Sequence, residues 1–459
     1  MTKEEKNLQN AMTEGVIWKQ LLLFFFPILL GTFFQQLYNT VDSIIVGNYV
    51  GREALAAIGC AAPVTSMFIS TCSGLFTGAV IVISNHFGAG DEDGLSSCVQ
   101  TTVALTLILC LLVTAAGVAL TPALLRLMGT NAEVFPEAES YLTIYFWGVS
   151  GLLLYNMGAG ILRAVGDSVR PLLILICCAV MNTVLDIIFV RDFNWGVAGA
   201  AGATILSQFV SAAVTVILLC RAKAGYRIIP DRLRISSGQL RRILRAGIPT
   251  ALQMGVTSFS NIFVQSYINA LDTAYMAGWT AYTKVDGFAT QPAMSLSMAL
   301  TTFCGQNMGA GNYGRVRRAP AYGVGIGAAV FFITAIPMFI FAPDIVALFN
   351  SDPEVIASGV YFVRVTVPFY SFFTLNEAYM GPMRGMDDTV AAMSITLFSF
   401  VLFRQLYLYA ASRLGHGVLA AALGYPSGWV VSAAIVLVYY YGFSRRRREL
   451  LSRCRAGED

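Results

Sequence analysis

Residues 26–47 read FPILLGTFFQQLYNTVDSIIVG. One charged side chain, Asp42, stands in this run, which continues an apolar stretch that begins near Val16. A bilayer-spanning helix needs about 20 mostly apolar residues, so the stretch is long enough to cross. The rest of the chain repeats the pattern. Of 459 residues, 56% are hydrophobic and 12% charged, against about 25% charged in a typical soluble domain. So few charges cannot cover the surface of a soluble protein of this size, and lipid is the implied solvent. Spans are predicted at 17–46, 54–84, 97–128, 135–163, 171–191, 196–221, 240–270, 275–306, 318–349, 355–383, 389–412 and 417–443. Turn signals at 88–94, 129–131, 166–167, 350–353 and 387–388 separate several of them. Strands of an outer-membrane barrel would be shorter and would alternate in polarity. The expected fold is an all-α polytopic membrane protein with twelve transmembrane helices.

Cytoplasmic loops carry the excess of Lys and Arg. With the N-terminus inside, 23 of the 30 Lys and Arg fall on inner segments and four (Arg52, Arg126, Arg191, Arg413) on outer loops. Both termini are therefore expected in the cytoplasm, with the chain in the inner or plasma membrane. The net charge of +4 then reflects topology, and nucleic-acid binding is not expected. The run RRRR at 445–448 reads as a stop signal and headgroup anchor. Residues 1–14 lack the apolar core of a signal peptide. The nine cysteines show no CxxC spacing and read as small packing residues. His86 and His416 are too few and too distant for a metal site. GAG at 88–90 lacks the Lys-Ser/Thr of a phosphate loop and reads as a tight turn. No nucleotide-binding signature is present, so the chain is expected to be neither an ATP-driven pump nor an enzyme, and to need no cofactor.

The chain is internally repeated. NHFGAGDEDG at 85–94 and QNMGAGNYGR at 306–315 share GAG at an offset of 221. Arg163 in LRAVGDSV and Arg384 in MRGMDDTV keep that offset, as do Glu133-Val134 and Glu354-Val355. Pro27 and Pro249, and Asn39 and Asn261, lie 222 apart. Several blocks in one order at almost one offset imply duplication. The expected organisation is two pseudo-symmetric six-helix bundles: a first lobe over 1–221, a basic cytoplasmic linker over 222–239, a second lobe over 240–443 and a basic tail over 444–459. Six helices return the chain to its starting side, so the halves run in parallel through the membrane, as in one standard transporter architecture. Such pairs place substrate between the halves and rock about it.

Ionisable groups inside the predicted helices are Asp42, Asp186, Lys284, Asp286, Arg364, Glu377 and Arg404. An acid at a helix centre costs about 2.5–3.5 kcal/mol on insertion scales, and such groups face a cavity or a partner. Near helix ends they snorkel to the headgroups, which is the expectation for Arg404 and one of two for Arg364. Asp42 lies fifteen residues after Pro27, and Asp186 fifteen after Pro171. Both prolines are expected near the cytoplasmic start of helices of the same direction, so both acids are expected about 22 Å along, at matching depth. One turn inward stand Tyr38 and Asn182, on the same faces. Thr204, on the next helix, reaches a similar depth. Two carboxylates with amide and hydroxyl oxygens suit a proton or a small hard cation; two unrelated structural acids are the other reading. The matching positions in the second half are Phe263 or Val264 and Tyr407, so a cation site would belong to the first half alone. Lys284, Asp286 and Glu377 suit either the wall of a substrate cavity or structural pairing. Glu377 matches Asn156 in the repeat.

The stretch 26–47, the NHFGAGD loop, GILRAVGDSVRP at 160–171, NTVLD at 182–186 and GVAGAAGAT at 196–204 together resemble the multidrug and toxic compound extrusion (MATE) transporters of bacteria and archaea. The resemblance runs along essentially the whole chain. It implies a secondary antiporter that exports cationic, amphipathic drugs or metabolites in exchange for Na+ or H+ by alternating access. Carried over residue by residue, it implies a cation site of Asp42, Asn182, Asp186 and Thr204, with Tyr38, Tyr141 and Asn156 as polar neighbours and a first-helix bend at Pro27. The second-lobe acids of some members find no match on the seventh helix, which carries Gln253 and Gln265. Glu377, Lys284, Asp286 and Gln253 are the candidates for a substrate cavity. The expected partners are an organic cation and the bilayer, and the chain is expected to be a monomer. A lipid or lipid-linked oligosaccharide flippase of the same superfamily is the alternative, and a membrane receptor ranks third.

Overall fold

The computed structural model describes residues 12–50, 52–128, 130, 134–269, 271–415 and 417–455. His416, Glu133, Lys3, Lys6 and most of the 129–131 turn lie outside them. The described residues are helical almost throughout and contain no strand. The helices are α1 (Ile17–Tyr49), α2 (Arg52–Gly88), α3 (Glu92–Leu127), α4 (Phe135–Ala164), α5 (Val169–Asp186), α6 (Gly196–Arg221), α7 (Ser237–Ile268), α8 (Thr273–Ala289), α9 (Gln291–Gly309), α10 (Tyr313–Ile340), α11 (Ala342–Ala347), α12 (Pro353–Thr366), α13 (Tyr370–Gly385), α14 (Thr389–Thr396), α15 (Arg404–Arg413), α16 (Gly417–Ala422), α17 (Gly424–Val438) and α18 (Arg445–Arg455). Wider π-helical turns occupy Ile187–Asp192, Leu397–Phe403 and Tyr439–Phe443.

Ten helical stretches among the described residues are long and apolar enough to cross a membrane. Two more passes follow the expected spans at 240–270 and 275–306. They miss that measure for visible reasons. The body of α7 carries Gln253, Asn261 and Gln265 among several Ser and Thr residues, which lower its hydropathy. The α8–α9 pass is broken at Thr290, where Pro292 opens α9. Within lipid the backbone must satisfy itself, which is why every pass is helical.

The chain forms two compact units. One holds Phe26–Ala251 and the other Met12–Phe25 with Leu252 onward. The basic segment after α6 is folded into the first unit. The Gln100 amide donates to the Arg227 carbonyl at 2.8 Å and accepts from Ile229 N–H at 3.2 Å, and Ser236 N–H donates to Thr101 Oγ1 at 3.1 Å. In the first unit α4 is central, packing on α2, α3 and α6; in the second, α13 packs on α9, α10 and α17. Both are fourth passes of their half. Small residues allow the close approach that drives helix association in lipid. Gly151 lies against the backbone of Gln208 and Phe209, and Gly74 and Gly78 face the backbone of Ala251 and Gly247. The repeat extends to backbone conformation: the turn after α4 needs a positive φ, supplied by Gly166 at 92°, and the turn after α13 takes it at Asp387 at 63°, 221 residues later.

Candidate cation site

Four helices of the first unit line a cleft. α1 contributes Gln35 and Tyr38, α4 Tyr155, α5 Asn182, and α6 Thr204 and Gln208. Residues 35 and 38 share one face of α1, and 204 and 208 one face of α6. Tyr155 is held by its hydroxyl, which donates to the Pro171 carbonyl at 3.2 Å. Asp42 and Asp186 stand just beyond the cleft lining and interact electrostatically with each other. Tyr38 and Tyr141 interact with both acids. Asp186 is fully buried and Asn182 nearly so, at 0% and 2% exposed, while Asp42 is half-buried. Asp186 is the last α-helical residue before the π turn Ile187–Asp192; π turns in helices often accompany functional positions.

Buried polar atoms are normally hydrogen-bonded, because an unpaired one costs about 1–3 kcal/mol. Here one oxygen of Asp42, both oxygens of Asp186, both polar atoms of Asn182 and the oxygen of Gln208 are buried without a hydrogen-bond partner. Carboxylate, amide and hydroxyl oxygens are the ligand types that a proton or a small hard cation takes. Asn156 is half-buried beside the cleft-lining Tyr155. α1 runs unbroken through Pro27. Gln35 and Gln208 were not among the sequence candidates. Their spacing from Tyr38 and Thr204 is the signal that points to them.

The second-unit candidates fall into separate local networks. Glu377 is buried and pairs with Arg384 at 3.6 Å; Arg384 also donates to Ser297 Oγ at 3.2 Å. Asp286 Oδ1 accepts from Tyr282 and Tyr370 hydroxyls at 3.2 and 2.6 Å. The Gln253 amide donates to Thr396 Oγ1 at 3.0 Å. Lys284 is exposed. Arg364 is exposed, its guanidinium 5.7 Å from the Phe339 ring. Arg404 departs from the snorkelling expectation. It is 3% exposed, donates to Ser260 Oγ at 2.8 Å and sits 5.2 Å from the Tyr425 ring centre. The π turn before it changes which way the helix presents residue 404, and a count of residues from the helix end misses that.

The MatE family profile matches residues 27–188 and 249–409, one block in each half. The chain belongs to the MatE family. A Bacillus subtilis relative named probable multidrug resistance protein YpnP is 32% identical over 433 residues, covering 94% of this chain and 96% of the relative. A Shewanella oneidensis relative named FAD transporter is 26% identical, covering 82% and 86%. A solved structure of the outward-facing conformation of a multidrug resistance MATE family transporter of the MOP superfamily superposes with a TM-score of 0.89 at 25% identity, covering 99% of both chains. This MatE protein is therefore a multi-pass membrane transporter with the twelve-helix MATE fold, and not an enzyme.

Proposed function

We propose that this MatE protein is a secondary antiporter of the cytoplasmic membrane, with both termini inside. It exports cationic, amphipathic compounds in exchange for entering Na+ or H+. The observation that carries this reading is the set of unpartnered oxygens on Asp42, Asn182 and Asp186. A cation or proton arriving there relieves both the desolvation of the acids and their mutual repulsion. An ion entering down a 100 mV potential supplies about 2.3 kcal/mol per charge, before its concentration gradient is added. Coupling requires ion and substrate to favour different states of the protein, and the ion-bound state has the lower substrate affinity. Thr204, Tyr38 and Tyr141 complete the site, and Pro27 supplies a weak point in α1, where a backbone hydrogen bond is missing.

The relatives named for multidrug resistance support the export of apolar cations. The FAD transporter favours a second reading, a phosphate-bearing anionic substrate, and a lipid-linked phosphate would share that chemistry. Efflux from proteoliposomes separates these readings and the ions. Ethidium and FAD are loaded in turn, and Na+ and pH gradients are imposed one at a time. Ethidium efflux driven by one gradient, and lost in Asp42→Asn, is the expected result. Gradient-independent efflux, or wild-type efflux by Asp42→Asn, overturns the antiport reading.

A further inference from the structure

The two GAG turns lie outside the cation site, and each holds the start of a repeat's first helix. In the first unit the α2–α3 turn holds the start of α7. Arg242 donates to His86 Nε2 at 2.9 Å and to Asn85 Oδ1 at 3.5 Å. Gln239 Oε1 lies 3.2 Å from the same His86 nitrogen. In the second unit the α9–α10 turn holds the chain leading into α1. Asn307 donates to the Met12 carbonyl at 3.0 Å, Asn312 to the Thr13 carbonyl at 3.1 Å and Arg315 to the Gly15 carbonyl at 2.7 Å. His86 and Asn307 keep the repeat offset of 221, as do Asp91 and Asn312, and Gly94 and Arg315. Each turn and the segment it holds belong to one compact unit.

A proton affects the two turns differently. Asn307, Asn312 and Arg315 keep their charge between about pH 5 and 8, the range in which a histidine changes its own. His86 is 7% exposed, and both its nitrogens are engaged. Nδ1 lies 2.7 Å from the Asp91 carboxylate, which only accepts, so Nδ1 carries the hydrogen. In the neutral ring Nε2 is then an acceptor, and Arg242 supplies the donor. A protonated ring donates from both nitrogens. Nε2 then bonds the Gln239 oxygen already within reach. Two cationic N–H donors cannot share the contact with Arg242. Asp91 keeps Nδ1 in both states, because the Gly94 N–H, with His86, holds its carboxyl below the usual carboxylate range. Among the described residues Asp91 and Arg242 are the charged groups in contact with His86. Gly94 leaves room for the pair, since a Cβ there would collide with the ring and with the Asp91 carboxylate.

We propose that the His86 turn is an acid-released clamp on α7. With His86 neutral it holds Arg242, and with it the first turns of the helix; protonation expels Arg242 and loosens them. The Asn307 turn holds the chain before α1 in either condition. α7 is the helix by which the chain passes from the first unit to the second, after Ala251. Its docking thus follows the pH at that face of the membrane, apart from the ion that drives transport. A merely structural histidine would hold α7 equally in both protonation states.

The test uses purified full-length protein in detergent, where both faces meet one pH and orientation does not enter. Hydrogen–deuterium exchange is read as protection factors, which removes the intrinsic pH dependence of exchange. Protection of residues 237–246 is expected to fall several-fold between about pH 7.5 and 5.5, while that of 12–20 is unchanged. In His86→Asn, which gives the first turn the residue of the second, the fall is expected to vanish. Tm values of wild type, His86→Asn, Arg242→Gln and the double variant give a second reading. The two substitutions are expected to be non-additive at the higher pH and additive at the lower. Equal protection of 237–246 at both pH values in the wild type overturns the proposal, and so does an equal fall in 12–20. A fall that persists in His86→Asn, or a coupling that is the same at both pH values, overturns it as well.

Discussion

Replacing Asp186 by Asn keeps the shape of a fully buried side chain and removes one charge. Asp186 is 0% exposed and neither oxygen has a partner, so no hydrogen bond is lost. What changes is the field at the cation. At 4 Å and an effective dielectric of about 20, one charge–charge interaction is worth about 4 kcal/mol, which is about a thousandfold in affinity. Thermal unfolding in detergent reads this out. At a concentration a hundred times the wild-type Kd, the ion stabilises the wild type by about 2.7 kcal/mol. The variant at the same concentration gains less than about 0.1 kcal/mol by the same relation. In buffer without Na+ at high pH the variant is expected to be at least as stable as the wild type, because a buried acid beside Asp42 has gone. Na+ and pH are titrated separately, and the ion whose stabilisation disappears is the coupling ion. A variant that keeps a wild-type shift with both ions refutes the site. A variant that loses stability without any ion shows that Asp186 is a structural acid.

Three further outcomes test the framework around the site. Gly78→Val forces a side chain into the backbone of Gly247 and should cost about 1–3 kcal/mol, read as a lower Tm with an unchanged ion-dependent shift. Glu377→Gln leaves the half-buried Arg384 charge without its carboxylate and should cost about 3 kcal/mol; retained ion stabilisation separates this from a coupling defect. The Gly94 N–H, with His86 beside it, holds the Asp91 carboxyl below its usual range at the start of α3. A lowered folded-state pKa contributes stability above the unfolded value, near 3.9, and loses it as pH falls through the folded value. Asp91→Ala should therefore cost about 1 kcal/mol at neutral pH, a gap in Tm that narrows below about pH 4; an equal gap at pH 3 and pH 7 would show that the carboxylate charge is irrelevant.

The length of each helical pass was legible from the chain, and direction around each helix was not. A bilayer fixes the length of every pass and forbids unpaired backbone, so apolar runs give the helices; Pro27 stands ten residues inside α1 whereas Pro171 lies in the first turn of α5, so the count from the prolines does not fix the depth of the two acids. The candidate site was read from its two acids, because a buried acid has few tolerable surroundings. Glu377 and Asn156 show the limit. They occupy one position of the repeat on the central helix of each unit, but Glu377 has Arg384 within 3.6 Å while Asn156 stands next to a cleft-lining tyrosine. What such a residue does depends on which neighbour it faces, and hydropathy carries no record of that. Arg404 makes the same point more sharply. A π turn takes one residue more than an α turn at nearly the same depth, and that residue rotates all that follow. A count therefore sends Arg404 toward the headgroups, whereas the turn before it sends the side chain inward to Ser260 and the Tyr425 ring. A duplicated chain thus differs most between its halves where one residue of slack changes a direction without changing a depth.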